Sequence, residues 1–181
     1  GCGYFQVNQN KGVRWTSAKG FLRPIMARPN LTVLTESQAT SLILKGKHCT
    51  GLSIIRKGRP ARAQAGREVI LAGGSIGSPQ LLQLSGIGPV NHLKDLGIKV
   101  NHDLSGVGEN LQDHLQIRAV YKVKNTKTLN ERANSLVGKM GIGLEYFLFK
   151  RGPMTMAPSQ LGGFAKSDPD KQTPNLQYHV Q

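Results

Sequence analysis

The feature that most constrains this chain is a glycine-rich stretch that follows an apolar run. From Arg67 to Gly88 the sequence reads REVILAGGSIGSPQLLQLSGIG and holds five glycines. The continuous apolar segment REVILA predicts a strand that is covered on both faces. Ser78 predicts a helix N-cap and Pro79 the first helical position, and Gly86 predicts the end of that helix. A strand, a glycine turn and a helix start in this order point backbone N–H groups outward, where the helix dipole favours negative charge.

Gly73 and Gly74 are the candidate contact residues in this turn. Because neither has a Cβ atom, a phosphate or a neighbouring backbone can approach them closely. The segment GGSIGS has glycines at 73, 74 and 77, which is not the strict GxGxxG spacing of a dinucleotide-binding loop. The residues alone therefore leave two interpretations open, contact with a dinucleotide and an ordinary tight turn.

Periodicity and turn residues predict further strands and helices along the chain. Strands are predicted at Tyr4–Gln9, in LTVLTES (31–37) and ATSLILKG (39–46), at Thr50–Arg56 and Leu115–Lys124, and in GGFAK (162–166) and NLQYHVQ (175–181). Asn10, Lys11 and Gly12 predict a turn after the first of them. Helices are predicted at Ala18–Leu22, at Gln80–Leu84, between Pro89 and Gly97 with Leu93 and Leu96 on one side, and at Ser135–Phe149. Helices and strands therefore both contribute to the fold.

Basic residues dominate the charge of the chain. The sequence has 24 Lys and Arg against 10 Asp and Glu, a formal net charge of +14 at pH 7. Its densest basic patch comprises Arg56, Lys57, Arg59, Arg62 and Arg67. Aromatic residues do not alternate with these side chains, as a base-stacking surface requires. We therefore predict that the patch is a solvated loop and that nucleic acid is not a partner.

Neither a membrane span nor a disulfide framework is predicted. The sequence holds no apolar run of about 18 residues, which a spanning helix needs. Its two cysteines, Cys2 and Cys49, form no disulfide or metal pattern, which favours a reducing compartment. The chain opens on Gly1 rather than Met and closes on a strand-like run without a following turn. We therefore expect an internal piece of a longer protein.

Several polar residues are candidates for chemistry, and each has a plainer interpretation. The neighbours His102–Asp103 and Asp113–His114 resemble metal ligands or acid–base pairs, but adjacent side chains seldom face one point and no third ligand has suitable spacing. Ser78 does not stand in a GxSxG motif, so we interpret it as a helix cap rather than a nucleophile. His179 lies in an alternating run and is interpreted as structural. We predict no metal site and no catalytic residue in this chain.

The stretch AGGSIGSPQLLQLSGIGP, followed by LGIKVNHDLSGVGENLQDH, resembles the second sequence motif of the glucose-methanol-choline (GMC) oxidoreductases. The motif is met at Gly74, Ser75, Ser78, Pro79, Leu81, Leu82, Ser85, Gly86, Ile87 and Gly88. The resemblance also includes GYFQVNQNKGVRWTSAKGFLRP, RPNLTVLTES and REVILAGG, and so covers at least Gly3–His114. Beyond it, FLFKRGPMT and PNLQYHV are similar to the substrate domain of choline dehydrogenases and related bacterial alcohol dehydrogenases.

This resemblance implies an α/β fold, α+β overall. Part of an FAD-binding domain of Rossmann type would be joined to part of a substrate domain built on an antiparallel sheet. Residues 28–114 would form the FAD-binding segment, and residues 1–27 and 115–181 the incomplete substrate domain.

The resemblance also implies which residues meet the cofactor. The backbone of Ala39 would contact the FAD adenine, and Ala72, Gly73 and Gly74 would lie near the flavin diphosphate. Small side chains suit both roles because they let the main chain meet the ligand.

By resemblance, the full protein is an FAD-dependent oxidoreductase acting on CH–OH groups. It would oxidise a primary alcohol, choline-like or aliphatic, to the aldehyde by hydride transfer to flavin, with oxygen or a quinone as electron acceptor. The family's amino-terminal GxGxxG and carboxy-terminal base lie outside these residues, so the chain alone is expected to be inactive. We expect a cytoplasmic location that admits peripheral association with the inner membrane. The alternatives are a lyase of GMC fold without net redox chemistry and a basic module that binds nucleic acid or anionic lipid.

Overall fold

The computed structural model describes residues 1–157 and 159–181 and divides the chain into two compact units. Unit 1 comprises Gly1–Thr32 and Val120–Gln181, and unit 2 comprises Val33–Ala119. The domain boundaries predicted from the sequence follow residues 27 and 114. The assignment of the three segments to FAD-binding and substrate domains stays a prediction.

Both units mix short strands with helices. The strands are β1 (Cys2–Tyr4), β2 (Gln9–Asn10), β3 (Val13–Arg14), β4 (Ser37–Lys45), β5 (His48–Arg56), β6 (Arg59–Gln64), β7 (Ile87–Gly88), β8 (His102–Asp103), β9 (Leu161–Ala165) and β10 (Leu176–Val180). The α-helices are α1 (Gly74–Leu84), α2 (Val90–Asp95), α3 (Leu129–Ala133) and α4 (Leu136–Phe149). A π-helical turn spans Ala18–Leu22, and 3-10 turns span Arg23–Ile25 and Pro153–Thr155.

Unit 2 is built on an antiparallel sheet in the order β4–β5–β6. Lys57 and Gly58 join β5 to β6, and their φ angles of 48° and 75° are typical of a type I′ hairpin turn. A bulge between Ala39 and Ser41 makes Thr40 the extra residue of β4. The helix α1 packs against β4, and the parallel pair β7–β8 adjoins α1. The strands predicted at 39–46 and 50–56 are confirmed by β4 and β5.

Unit 1 holds a second antiparallel sheet, β1–β9–β10, and the hairpin β2–β3. Lys11 and Gly12 form the turn of that hairpin, and both have positive φ. Ser135 caps α4 because its Oγ accepts a hydrogen bond from the Gly138 N–H at 3.0 Å. The helix predicted at 135–149 and the strands predicted at 162–166 and 175–181 are confirmed.

The strand predicted at Tyr4–Gln9 is divided in the structure. β1 ends at Tyr4 and β2 begins at Gln9. Between them, the Gln9 N–H donates to the Val7 carbonyl oxygen at 3.0 Å. This three-residue turn interrupts the extended backbone.

Three predicted strands are wrong. Most of LTVLTES is not a strand, because Glu36 adopts a left-handed φ of 51° and β4 begins only at Ser37. REVILA and Leu115–Lys124 have no regular structure, and Ile70 and Leu115 are 79% and 98% exposed. A strand needs a hydrogen-bonded neighbour, and none of the described strands pairs with either segment.

The helix α1 begins earlier than predicted. Gly73 is its N-cap and Gly74 its first residue, so Ser78 and Pro79 lie inside the helix. The Ser78 Oγ accepts a hydrogen bond from the Gly73 N–H at 2.9 Å. This bond connects Gly73 to the side chain of Ser78, and the residues between them, from Gly74 onward, are helical. Gly86, with φ of 76°, follows the helix end as predicted.

Leu93 of α2 is fully buried, and Leu96, the C-cap of that helix, is 60% exposed. One prediction about side chains is corrected. The basic patch is exposed, yet it is not a loop: Arg56 ends β5, and Arg59 and Arg62 lie on β6. Four of the five basic residues thus lie on a hairpin, whereas Arg67 lies beyond the end of β6.

Candidate functional site

The N-terminal end of α1 is the first element of the candidate site. Ala72, Gly73 and Gly74 are exposed there. The first turn of α1 carries no acidic residue and no side-chain cap that would compete for its N–H groups. Backbone donors at such an end, together with the helix dipole, favour an anion such as a phosphate.

The two glycines of this turn have different surroundings. A Cβ atom on Gly74 would have no heavy atom within 4 Å, and the φ of 77° at this residue suits glycine. A Cβ atom on Gly73 would lie 3.1 Å from both Gly77 C and Ser78 N. The backbone of the helix therefore fills the space beside Gly73, whereas Gly74 leaves open space for a ligand.

The strand β4 is the second element, and it lies at an edge of its sheet. Ala39 is half-buried on this strand and faces Ile54 of β5. Beside it, the Thr40 Oγ1 donates to the Ser53 carbonyl oxygen at 3.1 Å. An edge strand presents N–H and C=O groups that a sheet neighbour does not use, so its backbone can bind the polar edge of a ring such as adenine.

Ser85 joins these two elements, and sequence analysis did not predict a site role for it. Its side chain is buried, at 5% exposed. The Ser85 Oγ donates to the Leu81 carbonyl oxygen at 2.6 Å and accepts from the Leu42 N–H at 2.7 Å. One hydroxyl thus connects the last turn of α1 with the edge of β4.

The glycines after Ser85 serve packing rather than a ligand. A Cβ atom on Gly86 would collide with the Lys99 carbonyl oxygen. Asn101 binds both carbonyl groups beside Gly86. Its Nδ2 donates to Ser85 O at 2.9 Å, and its N–H donates to Gly86 O at 2.8 Å. A Cβ atom on Gly88 would lie 3.2 Å from the side chain of Gln83. The Ser-Gly-x-Gly motif was the sequence signal that could have identified this hydrogen-bonded cluster.

The predicted contact residues therefore lie in two places within unit 2. Ala72, Gly73 and Gly74 are consecutive at one end of α1. Ala39 is on β4, which Ser85 fastens to the other end of α1. The open, uncapped helix end fits the diphosphate of FAD, and the edge strand fits its adenine.

Several of the polar residues singled out in the sequence make local contacts in the structure. Among residues 1–157 and 159–181, no three His, Cys, Asp or Glu side chains lie together so that they could hold a metal ion. The Asp113 Oδ1 accepts a hydrogen bond from the His114 N–H at 2.7 Å, which is a local turn contact. The His179 ring packs against Phe5 with 5.0 Å between ring centroids. These contacts give the side chains structural roles.

Comparisons with known proteins identify relatives along the whole chain. A family profile described as GMC oxidoreductase matches residues 1–116. An alcohol dehydrogenase (acceptor) from Pseudomonas putida is 41% identical over 182 residues, which cover 99% of this chain and 33% of that protein. An oxygen-dependent choline dehydrogenase from Stenotrophomonas maltophilia (strain K279a) is 41% identical over 169 residues, covering 93% and 30%. An FAD-dependent oxidoreductase from Chaetomium thermophilum has a solved structure that matches with a TM-score of 0.76 at 28% identity, covering 87% and 28%.

These matches confirm the resemblance, the fold class and the prediction of a flavoprotein oxidoreductase family. The chain spans about a third of the length of the curated relatives it matches. A profile match over residues 1–116 of 181 covers more than half of the sequence. The chain belongs to the GMC oxidoreductase family.

Proposed function

We propose that the whole protein oxidises a primary alcohol, choline-like or aliphatic, to the aldehyde and passes a hydride to FAD. The observation that carries this proposal is the open N-terminal end of α1, a helix whose other end Ser85 connects to the edge strand β4. The names of the relatives, an alcohol dehydrogenase and a choline dehydrogenase, support the substrate class.

In this proposal, the residues of unit 2 bind and orient the cofactor. The first-turn N–H groups of α1, from Gly74 onward, hold the diphosphate, and the β4 backbone at Ala39 holds the adenine. FAD itself, when bound, accepts the hydride. The residues named here do not remove the hydroxyl proton, for which a base must lie within hydrogen-bond reach of the alcohol. We therefore propose that these 181 residues alone do not oxidise an alcohol.

The electron acceptor and location are also proposals. We propose that oxygen or a quinone reoxidises the flavin, because the two relatives are named as oxygen-dependent and as acceptor-linked. Within the described residues, no helix has both the length and the apolar character needed to cross a bilayer. We propose a cytoplasmic location that is compatible with peripheral association at the inner membrane, since anionic lipid attracts proteins with a net charge such as the +14 of this chain. The two alternatives, a lyase and a basic binding module, lose support because these relatives are named dehydrogenases.

The absorption spectrum of the purified whole protein tests this function. We expect flavin absorption that bleaches when choline or an aliphatic primary alcohol is added without oxygen, and that returns with oxygen or a quinone. A protein that binds no flavin would contradict the proposal. If flavin is bound but no primary alcohol bleaches it, the proposal of FAD binding would stand and the proposed alcohol oxidation would be refuted.

A further inference from the structure

We infer that Ser85 is a positioning residue that sets the spacing between the adenine-binding and diphosphate-binding segments of the cofactor site. This inference rests on the proposed function, because it assigns these two roles to β4 and to the N-terminal end of α1. Ser85 itself would not touch the cofactor. It would act by holding two backbone segments in one arrangement.

The geometry of the Ser85 hydroxyl carries the inference. The side chain is 5% exposed, and both of its hydrogen bonds are partly buried. Its Oγ donates to Leu81 O at 2.6 Å and accepts from the Leu42 N–H at 2.7 Å. Removing the hydroxyl would take this acceptor from the partly buried Leu42 N–H, and a backbone donor that loses its partner away from water is unfavourable.

The hydroxyl also connects the two elements, β4 and α1, that carry the proposed contact segments. Leu42 is three residues from Ala39, a distance of about 10 Å along an extended strand. The 11 residues of α1 lie between Gly73 and Ser85, which places these two residues about 18 Å apart along the helix axis. A shift of α1 along β4 at Ser85 is therefore transmitted along rigid elements to both ends of the site. A ligand that spans both segments senses this shift, and a ligand that occupies one segment does not.

The test compares FAD with adenosine as ligands of the whole apoprotein, using isothermal titration calorimetry. The test variant is Ser85→Ala. The matched control is Thr50→Val, which removes the 3.1 Å hydrogen bond from Thr50 Oγ1 to Ile43 O inside the sheet but leaves the α1–β4 connection intact. We expect Ser85→Ala to weaken FAD binding on the order of tenfold, which matches the loss of one buried hydrogen bond. Adenosine affinity should stay within about twofold, because it uses β4 alone. Thr50→Val should leave both affinities unchanged.

Three outcomes would overturn the inference. FAD affinity of Ser85→Ala could equal that of the wild type, FAD and adenosine affinity could fall by the same factor, or Thr50→Val could weaken FAD binding as much as Ser85→Ala. Should Ser85→Ala fail to fold, Ser85→Cys replaces it, because a thiol is a weaker donor and acceptor at the same place. A wild-type protein that binds no FAD would contradict the proposed function, and this result is distinguishable from the three outcomes above.

Discussion

Replacing Gly86 with alanine tests whether this glycine is required by packing. Its φ of 76° is a conformation that costs a residue with a Cβ about 1–2 kcal/mol. The new Cβ would collide with Lys99 O and lie 2.9 Å from Asn101 Nδ2, and relief of such overpacking costs about 1–3 kcal/mol. Displacing Asn101 would also weaken its hydrogen bonds to Ser85 O and Gly86 O, each of which contributes about 1 kcal/mol. We therefore expect Gly86→Ala to lower the free energy of unfolding of unit 2 by about 3–5 kcal/mol.

The matched control for this substitution is Gly97→Ala. Gly97 has a similar φ of 69°, but a Cβ there would have no heavy atom within 4 Å. It should therefore show only the backbone cost of about 1–2 kcal/mol. Urea unfolding of the whole protein, followed by circular dichroism, gives both values from the midpoint and the slope of the transition. Equal destabilisation by Gly86→Ala and Gly97→Ala would refute the packing argument.

Three further substitutions test other parts of the structure. Ser135→Ala removes the acceptor of the Gly138 N–H and should destabilise unit 1 by about 1 kcal/mol. The control Ser135→Asp should retain stability, and equal urea midpoints for both variants would contradict the role of Ser135 as a helix cap. Glu145→Gln breaks the 3.2 Å ion pair with Arg132, whose side chain is about half exposed, and should lower stability by less than about 1 kcal/mol, an effect that 1 M salt should abolish in thermal melts. Gly74→Val fills the open space at the start of α1 and should weaken FAD binding by about tenfold or more in titrations of the apoprotein, and unchanged affinity would remove Gly74 from the site.

Local features of the fold were predictable because neighbouring residues decide them. Ser135 followed by an apolar helical pattern predicted α4, and the structure has that helix with its cap. Lys11–Gly12 predicted a turn, and both residues have the positive φ of a tight hairpin. The motif from Gly74 to Gly88 predicted the family without any knowledge of contacts. The residues that decide the helix cap and the turn lie within a few positions of each other along the chain.

The candidate site was less predictable than the fold. The sequence predicts contact roles for Ala39 and for the turn at Ala72–Gly74, but it does not indicate that Ser85 connects the elements that carry them. The deciding contact, from the Leu42 N–H to the Ser85 Oγ, joins residues 43 positions apart. A serine that follows a helix does not by itself indicate which distant backbone group it will meet.

The sequence by itself determined the turn at Lys11–Gly12, the capped helix α4, the end of α1 at Gly86 and membership of the GMC family, since these depend on residue types at short spacing. Only the tertiary structure decided that REVILA and Leu115–Lys124 are not strands here, since a strand requires a hydrogen-bonded neighbour that its own residues cannot supply. The tertiary structure also distinguished the glycines of the motif. Gly74 adjoins open space, whereas Gly86 is packed against Lys99 O, because the volume available to a side chain is set by residues distant in the sequence.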